Sequence, residues 1–176
     1  MRSYTSMSIV LAAALMFCCK DSATGPQFQP LSKIYFETEY VNFSWGYVHN
    51  GWFIDTAGNV ISYDLAKSGT QWVPNSNELY GEAELWAKIH HNDTLRTQVP
   101  LDTLEALRSL AVASVGGKYS DTTCPGADMG AFVYACYVYQ ADSLKFRRTV
   151  LRVYGDCRYY NTSPSAIELA DWMASR

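Results

Sequence analysis

The sequence predicts one α+β domain, a mainly antiparallel sheet with about three helices packed on it, and three observations lead there. Apolar and polar residues alternate with period two from Ile34 towards Tyr63, interrupted by turn formers. Two segments with helical spacing follow, and then two more strand-like runs and a last helical segment. The order strands, helices, strands, helix lacks the regular strand–helix alternation that builds a parallel sheet. No segment repeats at a fixed period, which argues against propellers and solenoids.

In the first strands Val41, Phe43, Trp45, Tyr47 and His49 alternate with smaller or polar residues, and Asn50-Gly51 supplies a two-residue hairpin signal. That turn would place His49 opposite Trp52 and Tyr47 opposite Ile54. A second turn at Thr56–Asn59 would place Ile54 opposite Ile61 and Trp52 opposite Tyr63. Together they predict a three-stranded meander with Phe43, Trp45, Tyr47, Trp52, Ile54, Ile61 and Tyr63 on one core-facing side.

Helices are expected from Glu82 to about His90, with Ala83, Trp86 and Ile89 inward, and from a capping box at Asp102–Glu105, with Leu104, Leu107, Leu110 and Ala111 inward. The run 131–139 is apolar on both faces, as a strand covered on both sides would be. Ala141–Leu144 turns it into a partner strand, Lys145–Tyr154, which completes a C-terminal hairpin. Its basic residues Lys145, Arg147, Arg148 and Arg152 read as a solvated face. Ser163-Pro164 then starts a helix bearing Ile167, Leu169, Ala170 and Met173.

With the 141–144 turn, Cys136 lies opposite Thr149, and Cys157 falls beyond the open end of the hairpin, within reach of Cys124. A Cys124–Cys157 disulfide is therefore expected, with Cys136 a small buried hydrophobe. No catalytic constellation, metal site or cofactor fingerprint is legible. His90-His91-Asn92-Asp93 is the densest cluster of potential ligands, but adjacent histidines on a helix diverge by about 100° and read better as a polar helix terminus. Asp55-x-x-Gly58-Asn59 lacks the acids of a calcium loop and is explained by a turn. The formal charge of −3 argues against a nucleic-acid partner.

The chain begins with Arg2 and an apolar run, Ile9–Cys19, which stops at Lys20-Asp21. That is the plan of a signal peptide, and the run falls short of the about 20 residues of a spanning helix. Its end resembles the lipobox of bacterial lipoproteins. Cys18 has Leu15 three places before it but bulky Phe17 adjacent; Cys19 has small Cys18 adjacent but Met16 in the Leu position. The resemblance implies lipid attachment at Cys19, with Cys18 the alternative, and by analogy with enterobacterial sorting Lys20 in second place points to the outer membrane. The phrases Leu151–Asp156 and Asn161–Trp172 resemble other small exported bacterial proteins and imply no chemistry.

The expected organisation is a signal peptide at 1–19, a tether rich in turn formers at 20–33 and the folded domain at 34–176. A secreted or periplasmic product is the alternative, although no Ala-x-Ala site with suitable flanks follows the apolar run. The expected role is non-enzymatic: a membrane-held protein that binds an envelope protein or a glycan, or is structural. The alternatives are a hydrolase using His90 and His91 and a glycan-binding module using exposed aromatics among the 13 Tyr and 5 Trp.

Overall fold

The computed structural model describes residues 33–91 and 93–176. Signal, lipobox and residues 20–32 of the tether, with Cys18 and Cys19, lie outside the described residues. The elements are β1 (Ile34–Asn42), β2 (Val48–Ile54), β3 (Asn59–Asp64), the short α1 (Leu65–Ser68), β4 (Leu79–Tyr80), α2 (Glu82–Ile89), β5 (Thr94–Gln98), α3 (Leu101–Ser114), β6 (Ala131–Gln140), β7 (Lys145–Gly155), β8 (Tyr159–Tyr160) and α4 (Pro164–Ala174). The strands form one antiparallel sheet in the order β4-β7-β6-β1-β2-β3-β5, with β8 added to β7.

Each face of the sheet carries an apolar core. Ile34, Phe36, Ile54, Cys136, Val138 and Leu151 pack against Leu104, Leu107 and Ala111 of α3 and Leu169, Ala170 and Met173 of α4. On the other face Tyr35, Phe53, Ile61, Tyr63, Tyr137 and Phe146 meet Leu65, Tyr80, Leu85 and Ile89. A residue step of one along any strand switches a side chain between these two cores.

The meander exists, but its registers differ from those expected. Asn50-Gly51 lies inside β2, with Gly51 opposite Glu39. A Cβ at Gly51 would collide with the Thr38 carbonyl oxygen, so this glycine permits close strand approach. The chain reverses at 43–47 instead, where the Asn42 side chain accepts from the Ser44 N–H at 2.8 Å and Gly46 takes φ 108°.

The next loop closes one residue shorter than expected. Asp55 Oδ1 accepts from the N–H groups of Ala57 and Asn59 at 2.8 and 2.9 Å, and Gly58 takes φ 85°. Phe53 therefore faces Ile61, and Ile54 faces Val60. The seven residues expected on one side are divided: Ile61 and Tyr63 face α2, Trp52 and Ile54 face α3 and α4, Phe43 and Trp45 are exposed on the loop, and Tyr47, half-buried at the end of that loop, stacks on Phe43 at 5.3 Å.

The C-terminal hairpin has the expected pairing, Cys136 opposite Thr149, until a bulge at Tyr134/Ala135 shifts it by one. Cys124 and Cys157 lie at disulfide distance, 2.07 Å between sulfurs, and Cys136 is buried and free. The inward residues of α2 are Leu85, Lys88 and Ile89; Ala83 and Trp86 point outward. The Asp102 capping box does not form, because the preceding Pro100 is the N-cap and the helix starts at Leu101. At α4 Ser163 caps as expected, accepting from the Ala166 N–H at 3.3 Å, while Ile167 is exposed.

Candidate functional site

Two features stand out: a buried charge cluster inside the sheet–α2 layer, in which Arg148 Nε alone is left without a partner among the described residues, and a half-face of the sheet that no helix among the described residues covers. Glu37 and Glu39 project from β1 towards α2, 0% and 3% exposed. Glu37 accepts from the hydroxyls of Tyr63 (2.6 Å) and Tyr137 (2.5 Å) and pairs with Lys88 Nζ at 2.7 Å. Glu39 takes Lys88 Nζ at 2.7 Å on Oε2, Arg148 Nη2 at 2.6 Å on Oε1, and His49 Nε2 at 2.7 Å. Since a carboxylate only accepts, His49 Nε2 carries the proton, and Nδ1 is left to face the Tyr47 hydroxyl at 3.0 Å. The Lys88 ammonium also lies 5.1 Å from the Trp72 ring centre.

Burial raises the carboxyl pKa of Glu39, but Lys88, His49 and Arg148 outweigh it and hold the group below the usual carboxylate range. Burial, and then Glu37, push the Tyr63 and Tyr137 phenols well above their ordinary value. For Arg148, burial opposes the charge, and Tyr137, Glu39 and Glu37 overcome it. The outer rim of this cluster, Glu39, His49 and Arg148, touches a trough of about 370 Å³ lined otherwise by groups such as Val41, Val133, Val150 and Trp72. Each ring nitrogen of His49 is already engaged, and so are both oxygens of Glu39. The arrangement suits a pin that joins α2, β2 and β7 to β1.

On the opposite face α3 and α4 cover only part of the sheet. The remainder presents Thr38 and Tyr40 from β1, Asn50 and Trp52 from β2, Ser62 from β3, Phe132 and Tyr134 from β6, Arg152 and Tyr154 from β7 and Tyr160 from β8. Cross-strand register aligns them: Tyr40 opposes Phe132, which opposes Tyr154, while Trp52 opposes Thr38, which opposes Tyr134. Phe132 and Tyr154 are 45% and 53% exposed.

The platform is held in place. Tyr40 and Phe132 rings lie 4.7 Å apart, the Tyr40 hydroxyl donates to the Met129 carbonyl at 3.0 Å, and the Arg158 guanidinium covers Tyr154 at 4.4 Å. Arg152 Nη2 is bonded to Asp171 at 2.6 Å. Two hollows open here: one of about 470 Å³ over Thr38, Tyr40, Asn50, Trp52 and Ser62, and one of about 290 Å³ between Trp52, Val60, Val99 and Trp172. Thr38 Oγ1, on the floor of the larger, is buried without a hydrogen-bond partner among the described residues.

The residues singled out from sequence fall elsewhere. His90 is the C-cap of α2, stacks on Trp86 at 4.6 Å and meets Asp93 Oδ2 at 2.5 Å; the His91 carbonyl accepts from the Asp64 N–H at 3.0 Å. Among the described residues no group of three or more His, Cys, Asp or Glu is placed to hold a metal. Cys136 is no nucleophile, since burial pushes its thiol up to about 12.

The basic run is not one solvated face: Lys145 and Arg147 are exposed, Arg148 is buried on Glu39, and Arg152 lies on the open half-face. Sequence reasoning missed the platform because β6 is apolar on both sides and reads as wholly covered. Its alternating Phe132 and Tyr134 are the signal that was present. No protein-family model, no curated protein and no solved structure matches this chain.

Proposed function

We propose that this chain is an exported envelope protein, held at the outer membrane by lipid on Cys19 (or Cys18), that binds glycans on its uncovered half-sheet. The observation that carries the binding reading is the row Tyr40–Phe132–Tyr154 beside Trp52 and Tyr134, aromatic rings spaced by cross-strand register and interleaved with Thr38, Asn50 and Ser62. Sugar rings offer C–H faces to the negative faces of aromatic rings and hydroxyls to small polar side chains, so a mixed surface suits them better than an apolar protein interface would. The signal-like N-terminus and tether support the location, and a Cys124–Cys157 disulfide accords with an oxidising compartment.

The test is retention on immobilised polysaccharides from bacterial envelopes. Wild type and Trp45→Ala, altered on the distant 43–47 loop, are expected to be retained, and Phe132→Ala and Tyr154→Ala to pass through with unchanged circular dichroism. Equal retention of all four would overturn the reading.

A further inference from the structure

We infer that the ligand of this half-face is an acidic glycan, a sugar chain bearing carboxylates, seated across the two adjoining hollows with its negative groups towards Arg96 and Arg176; this rests on the glycan-binding reading. The two hollows share Trp52 and Arg96 in their walls and so adjoin, one over the open sheet and the other beside the end of α4. An extended oligomer fits that shape, and the larger hollow alone falls in the about 300–1,000 Å³ range of ligand sites.

The charge along the two hollows is the second argument. The chain as a whole carries −3, yet the charged residues lining the hollows are Lys67, Arg96 and Arg176 against the single acid Asp64. Lys67 Nζ lies 3.1 Å from the Asp64 carboxylate, and neither guanidinium group is in an ion pair with an acidic side chain among the described residues. The Arg176 guanidinium lies over the Trp172 ring at 4.4 Å, and Arg96 is exposed on β5 with no ion pair among the described residues. A planar guanidinium takes a carboxylate in a two-pronged bond, and a local positive surface on an acidic protein selects anions over neutral chains.

The experiment uses the purified full-length chain and two probes with one backbone: oligogalacturonate and its methyl ester, titrated calorimetrically at about 0.05 and 0.3 M salt. The expected result is that the acid form binds at least tenfold more tightly than the ester. Arg96→Gln and Arg176→Gln should each weaken the acid form about five- to tenfold and leave the ester unchanged, while Phe132→Ala weakens both. Equal binding of acid and ester that Phe132→Ala abolishes would overturn the acidic preference and leave the glycan reading standing. Binding of neither probe would overturn both. Acid binding that vanishes at higher salt and ignores Phe132→Ala would mark plain charge attraction, and would overturn the proposal as well.

Discussion

The Lys88 ammonium sits 2.7 Å from a Glu39 oxygen although 49 residues separate the two, and neither side chain reaches solvent to any useful extent. With Glu37 on the same ammonium, the contact fixes α2 over β1 at one axial position. A buried ion pair need not raise stability over a well-packed apolar substitute, but breaking one leaves a stranded charge. Lys88→Met leaves the buried Glu37 without a cation, while Glu39 keeps Arg148. It is expected to lose about 3–5 kcal/mol in urea unfolding. Adding Glu37→Gln should restore part of that, and strict additivity of the two substitutions would contradict the shared contact.

The same cluster sets the pH profile. Glu39 titrates lower folded than its unfolded value of about 4.3, so its contribution is complete above that pH and drains away as pH falls below it. Tyr63 and Tyr137 titrate higher folded than their unfolded value of about 10, so their contribution is complete below that pH and is lost as pH rises through it. Melting temperature should form a plateau between about pH 5 and 9 and fall on both sides. Absorbance at 295 nm should show these two phenols ionising only together with unfolding; their ionisation in folded protein would contradict the buried contacts.

Cys124 and Cys157 enclose a segment with a separation of 33 residues. Cys157→Ser is expected to cost about 2–4 kcal/mol. Non-reducing peptide mapping should recover a 124–157 cross-link, with Cys136 alkylated only after denaturation. A cross-link through Cys136 would contradict the register of β6 on β7.

Replacing Cys18 and Cys19 together with Ser should move the protein from the membrane to the soluble fraction. Persistence on membranes through a high-salt wash would contradict the lipid anchor.

Much of the chain's order could be read from local signals, and the failures have physical causes. The 141–144 turn was legible because Asp142-Ser143 breaks the chain between two long strand-like runs, and the register followed. Asn50-Gly51 misled because a glycine that permits a hairpin turn also permits close strand approach, and only the position of the Thr38 carbonyl distinguishes the two. The charge cluster was illegible strand by strand, since alternate glutamates on a strand normally mark a wet face. Its trace lies in two other elements: Lys88 sits in the apolar stripe of Leu85 and Ile89, and Arg148 shares a face with Phe146 and Val150. A charge in an inward position on each of two elements asks for a partner in the core. The open half-face depends on where α3 and α4 stop, which no local pattern encodes.

The most direct test of the account is two-dimensional NMR of the labelled chain titrated with a retained glycan, which maps binding onto the fold residue by residue. The account predicts that shifts concentrate at Tyr40, Trp52, Phe132, Tyr134 and Tyr154, with Phe43, Trp72 and Val133 on the opposite face still. Shifts centred on the Val41–Val133–Val150 trough and His49 would contradict it and move function to the charge cluster.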